Sequence, residues 1–213
     1  MKSTFQLTSL AALLVLATEP VAATRAAESG DQAKEARAKI DAMREGTAKI
    51  RNQVGLTLEE LNRMQTPSID LRAQLDKYTA ELAKMEDNAK TARERVMSMQ
   101  EKGKAYFQAW EDQINSIANA DIRDQAKKRY EKRVKSYGKI IKAMTEARDE
   151  LVPFMSELND IKKLLDAELS RESVKSAKNL IKNANWHGAD VVDELKDVET
   201  ELDRVSAELA KYK

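Results

Sequence analysis

His187 is the only histidine in the 213-residue chain, and there is no cysteine. The missing thiol removes disulfides, thiolate metal sites, thiol catalysis and a lipid-modified N-terminal cysteine at one stroke. A single histidine cannot supply a His-rich zinc site, nor the two Glu-x-x-His motifs of a di-iron helical bundle. Carboxylates do fall at helical spacing, as in Glu146 with Asp149 and Glu157 with Asp160. Such pairs are general acid–base geometry, but charged helices carry them routinely as solvated faces. No glycine-rich phosphate loop is present, and no strand exists on which to mount a Ser-His-Asp set. The sequence therefore predicts no catalytic residue, no metal ligand and no cofactor, and it points away from an enzyme.

Two groups of residues are suited to binding. One is a basic stretch from Arg123 to Lys142. Lys127, Lys128, Lys132, Lys135 and Lys139 are its candidates for contact with an anionic envelope surface, with Arg123, Arg129, Arg133 and Lys142 beside them and only Asp124 and Glu131 opposed. The competing reading is internal pairing with Asp193, Glu194, Asp197, Glu199, Glu201, Asp203 and Glu208, because opposite flanking charges set helix pairing in coiled coils. The other group is Asn185-Trp186-His187-Gly188 together with Phe107 and Trp110. Trp186 falls opposite the apolar seam of its helix, and an exposed tryptophan is a frequent interface anchor. Trp186, His187, Phe107 and Trp110 are thus the candidates for docking a protein partner or a second copy. Against this, aromatic residues at heptad spacing usually belong to a core, and a local irregularity at Gly188 would turn Trp186 inward.

The elements that position these groups are helices. Charged residues make up 34% of the chain and aromatics 5%, with six glycines and three prolines. That composition favours helix and offers few breaks. Lys plus Arg (37) nearly balances Asp plus Glu (36), so no global field draws the chain to nucleic acid. Residues 1–23 read as a signal peptide: Lys2, an apolar run from Leu7 to Ala17, and Val21-Ala22-Ala23 before the cut. The run is about half the roughly 20 residues of a membrane span. Export to the periplasm, or secretion, is the expectation. Residues 24–30 read as a flexible lead-in.

From Asp31 onward apolar residues recur every seven positions, the pattern of a left-handed coiled coil. The expected fold is all-α, an elongated antiparallel helical bundle of about four long helices in one domain, at 31–65, 67–118, 122–169 and 171–213. The second would be about 75–80 Å long. Thr66 with Pro67, Asp121 and Ser170 are the expected helix starts. Helix three carries a third apolar row, Val134, Ile141, Met155 and Leu169, wide enough for two neighbours, and Pro153 predicts a kink. Helix four has a narrow seam running from Val174 through Ile181 and Val191 to Tyr212. Antiparallel folding about the short turns sets Gly103 near Tyr137, and Ala184 and Gly188 near Phe154 and Leu151, large against small. Tyr106, Phe107, Trp110, Tyr130, Tyr137 and Tyr212 gather towards one end.

The part from Trp110 onward resembles an uncharacterised bacterial family of exported helical proteins, a domain of unknown function (DUF2959). The Asn119–Arg123 turn, Met144 followed by Ala147, Pro153 within a helix, and Leu158-Asn159-Asp160 carry the resemblance. Where that family has Lys-His-Asn-Leu-Asn after the proline, this chain reads Asp166-Ala167-Glu168-Leu169-Ser170. The resemblance implies export and helicity, and no activity. The functional expectation is a non-enzymatic envelope binding or scaffolding module, whose partner is an unknown protein, a second copy or an anionic surface. The alternatives are a membrane-shaping dimer of BAR-like type and a periplasmic holdase.

Overall fold

The computed structural model describes residues 24–210; the expected signal peptide and Tyr212 lie outside them. Five helices follow in order: α1 (Thr24–Arg63), α2 (Leu71–Asn115), α3 (Ala120–Ala167), α4 (Arg171–Ser176) and α5 (Lys178–Leu209). There is no strand among the described residues, and the fold is all-α. Helix α1 begins at Thr24, so the segment expected as a lead-in is helical. Ala26, Ala27 and Glu28 are good helix formers, and extending a helix that already has a nucleus is far easier than starting one.

The caps differ from expectation at two of the three turns. Residues 64–70 all turn, and α2 starts only after Asp70, whose carboxylate accepts from the amides of Arg72 (2.9 Å) and Ala73 (3.1 Å). Asp70 replaces Thr66 as the cap because it satisfies two orphan amides together. At the next turn Asn119 Oδ1 accepts from the Ile122 amide at 3.1 Å, which leaves Asp121 inside the first turn of α3. Ser170 caps α4 as expected, accepting from the Ser173 amide at 3.0 Å. Between α4 and α5 only Ala177 leaves helical geometry, and the bonds Ala177 N–H to Ser173 O and Ile181 N–H to Ala177 O, both 2.9 Å, carry the ladder across it. Pro153 lies inside α3, which continues through it.

Contacts divide the chain into two compact units where the sequence suggests one domain, and each unit takes a portion of α1, α2, α3 and α5. In the unit formed by residues 45–94 and 143–199, α1 and α2 run antiparallel. Gln53 Nε2 donates to the Glu81 carbonyl (3.1 Å) and carboxylate (2.8 Å), and Gln74 Nε2 donates to the carbonyl (2.8 Å) and carboxylate (2.7 Å) of Glu60. Its core holds Val54, Leu61, Leu75, Tyr78, Leu82, Phe154, Leu158 and Ile181, all but closed to water. Each such aliphatic or aromatic side chain contributes about 1.5–3 kcal/mol. Asn62 and Asn185 exchange amide hydrogen bonds of 2.8 and 2.9 Å between α1 and α5, a pairing that holds the register of the two helices.

The other unit, which among the described residues takes 24–44, 95–142 and 200–210, holds an aromatic core and the tail of α5. Here Arg44 on α1 binds Asp203 on α5 at 2.7 Å. Every described seam position of α5 is buried, from Val174 and Ala177 on the preceding turns to Leu202 and Val205. The third row of α3 is not: Val134 is exposed, and Ile141, Met155 and Leu169 are half-buried. Ala126, Ser136 and Ala143 go inside instead. Small residues allow close helix approach, so the packed face of α3 lies on the side opposite to Val134.

Candidate functional site

The aromatic group forms a core. Phe107, Trp110, Ile114 and Ala126 are buried together, with Tyr106, Ile117, Tyr130 and Tyr137 packed around them. Trp110 meets Tyr130 edge-on at 5.4 Å between centroids, and Phe107 meets Tyr137 at 5.2 Å. Phe107 and Trp110 are therefore not available as a docking surface. Heptad spacing itself favours a core position for Trp110, and Phe107 and Ile114 extend that buried side while Gln113 stays exposed. Gly103 lies against Tyr137 as expected, so closely that a Cβ there would sit 2.2 Å from the phenol oxygen. The Tyr137 hydroxyl donates to the Met99 carbonyl at 2.9 Å, across α3 and α2. Beside it a small apolar recess of about 40 Å³ is lined by Ile40, Met99, Arg133, Ser136, Ile140 and Leu202. This is room for about one water, too little for an organic substrate.

Trp186 stands on the outer face of α5 with 63% of its surface exposed, and the Lys182 ammonium lies 4.8 Å from its ring centroid. The local geometry explains the orientation. Gly188 faces inward against Leu58 Cδ1 and the Phe154 ring, where a Cβ would come within 2.5 and 3.2 Å, so Trp186, two residues back, points away. Gly188 thus opposes Phe154, whereas antiparallel folding about Ser170 alone sets it against Leu151. His187 is also exposed, and its Nδ1 lies 2.7 Å from Glu157 Oε2. That bond, ahead of a small opposing effect of burial, raises the imidazole above its ordinary range. Among the described residues no three His, Asp or Glu side chains converge to hold a metal ion.

The basic stretch behaves differently. Lys127, Lys128, Arg129, Lys132, Lys135 and Lys139 are all exposed, and none has an ion-pair partner among the described residues. Four of the seven acids of α5 expected to neutralise them are engaged elsewhere. Asp203 binds Arg44, and Glu199 binds Arg51 at 3.2 Å, both on α1. Asp193 binds Lys196, and Glu201 binds Arg204, within α5 itself. Helix α1 carries arginines at the height of those acids, and guanidinium groups suit carboxylates better than lysine does. Lys128, Lys132, Lys135, Lys139 and Lys142 follow one another at steps of four and three, which keeps them on a single side of α3. That side is exposed and runs beside the buried positions Ser136 and Ala143, which lie three or four residues from Lys132 and Lys139.

A model of the family described as "Protein of unknown function (DUF2959)" matches residues 29–209. The chain belongs to this family. The match takes in α2 and most of α1, well beyond the part from Trp110 onward that carries the resemblance in sequence. No curated protein and no solved structure matches this DUF2959 chain. No helix among its described residues is long and apolar enough to cross a membrane.

Proposed function

We propose that this DUF2959 protein is a non-catalytic binding module of the bacterial cell envelope, exported by its N-terminal segment, and that the outer side of α3 is its binding face. One observation carries the reading: six exposed cations between Lys127 and Lys139 have no ion-pair partner among the described residues, while arginines on α1 and cations of α5 hold four of the acids expected to pair with them. The neighbouring polar groups support it. No buried side-chain nitrogen or oxygen among the described residues lacks a hydrogen bond, so no internal polar group waits for a substrate. Exposed charges are individually worth little to stability, so a row of like charges is explained better by an external anion than by the fold.

The test is retention on a sulfonate cation exchanger. With a net charge of +1 the chain has little global attraction for the matrix. Retention is expected to fall sharply when Lys128, Lys132, Lys135 and Lys139 are all changed to Gln. Removing the same charge from Lys77, Lys90, Lys175 and Lys178, exposed on α2, α4 and α5, should change it far less. Equal loss in the two quadruple variants would remove the proposed face.

A further inference from the structure

The row on α3 has features that select among anions. It rests on the reading of the chain as a binding module and concerns what that module binds. From Lys128 to Lys139 the row extends about 17 Å along the helix. Asp121 and Asp124 close one end, and Glu146 and Asp149 close the other. Among Lys127, Lys128, Arg129, Lys132, Lys135 and Lys139, only Arg129 is an arginine. Lysine presents a hydrated point charge on a flexible stem, without the rigid fork that grips one phosphate bidentately. The surface is also a convex helix side with no cleft, so it offers a discrete small anion nothing to fit.

Nucleic acid is a poor match for the same face. Single strands bind where aromatic rings on the surface stack the bases. Here the aromatics of the same helix, Tyr130 and Tyr137, are packed into the aromatic core on the other side. The large exposed apolar side chains on this part of α3 are aliphatic, Val134 at 37% and Ile122 at 53%, and the one acid beside the row is Glu131, three residues from Lys128 and four from Lys135. A linear, bounded row of lysines on a helix that exposes aliphatic rather than aromatic side chains complements a fluid sheet of negative headgroups. Such lipids move laterally to meet each charge, and the methylene stems lie along the interface.

We propose that this side of α3 docks on the surface of an anionic lipid bilayer. The full chain is sedimented with vesicles of phosphatidylcholine alone and of phosphatidylcholine mixed with phosphatidylglycerol. Binding is expected to the mixed vesicles at low salt and not to the neutral ones. It should vanish near 1 M salt, where the screening length falls to about 3 Å. Each lysine removed from the row weakens partitioning about five-fold, so the four-fold Gln variant at Lys128, Lys132, Lys135 and Lys139 loses about a few hundred-fold. The variant at Lys77, Lys90, Lys175 and Lys178 should bind close to the unaltered level. Absence of binding to mixed vesicles, binding that survives high salt, or equal loss in the two variants would each overturn the proposal. If vesicles fail while the sulfonate matrix still discriminates the variants, the binding face stands and the lipid assignment falls. If duplex DNA competes the chain off the vesicles at equal phosphate concentration, the partner is a nucleic acid.

Discussion

Tyr78 is fully buried, and its hydroxyl is tolerated there because the Leu158 carbonyl accepts from it at 2.7 Å. Burial, with Glu157 nearby, pushes the phenol well above its usual range. Replacing Tyr78 with Phe leaves the ring packed and deletes one buried hydrogen bond, a loss of about 1 kcal/mol in a urea unfolding titration. No loss would mean that Leu158 O is satisfied without it. His187 offers a second test, since it is the sole imidazole in the chain. Its folded value is raised by Glu157 first, with Asp190 and Glu150 adding to it. A raised histidine contributes stability below its unfolded value and loses it as pH rises through its folded value. More than half of the side chain is exposed, so that contribution is small, and the titration midpoint is the sharper readout. The His187 proton resonance should titrate above about 6.5, and Glu157→Gln should lower the midpoint. A midpoint unmoved by Glu157→Gln would deny the pair. At this level the sequence speaks unevenly. Trp186 can be placed outside because it opposes a regular seam. The Asn62–Asn185 exchange cannot be foreseen, since 123 residues separate its members and only the packed register brings them together.

The helices themselves are written in the seven-residue pattern, and the turns in Asp70, Asn119 and Ser170. What the pattern loses is phase. Heptad spacing puts Trp110 inside, as found, but Phe107 and Ile114 are buried where it favours Tyr106 and Gln113, and the burial of Ala126, Ser136 and Ala143 leaves Val134 outside. Apolar spacing reports a stripe but not which neighbour it meets, so small residues at the true contact are overlooked. Glycines separate the two kinds of helix face. Nothing lies within 4 Å of a Cβ at Gly55 or Gly138, so either one changed to Ala should stabilise the protein by up to about 1 kcal/mol through helix propensity. At Gly103 the added methyl collides with the Tyr137 ring and at Gly188 with Leu58, and Gly103→Ala or Gly188→Ala should destabilise by about 1–3 kcal/mol. Thermal unfolding of the four variants checks both signs. A stabilising Gly103→Ala would show that α2 and α3 do not approach as closely as described.

Charge across the protein is nearly balanced, yet it is not mixed evenly. Residues 123–142 hold nine Lys and Arg against two acids. The sequence shows that segregation, and it also suggests α5 as the partner. The suggestion fails in part because α1 also enters each unit, and it presents Arg44 to Asp203 and Arg51 to Glu199. A face of like charges carries a cost. Lys132 has Lys128, Arg129 and Lys135 at helical spacings of four, three and three. Each like-charge pair of this kind disfavours a helix by about 0.2–0.5 kcal/mol, and an opposite pair favours it by a similar amount. Reversing the sign at Lys132 therefore separates a free face from an internally paired one. Urea unfolding of Lys132→Glu at low salt should show stability raised by about 1 kcal/mol, through new attraction to all three neighbours. A fall in stability would show that Lys132 already has an acidic partner within the fold, and the cationic face proposed for binding would not exist.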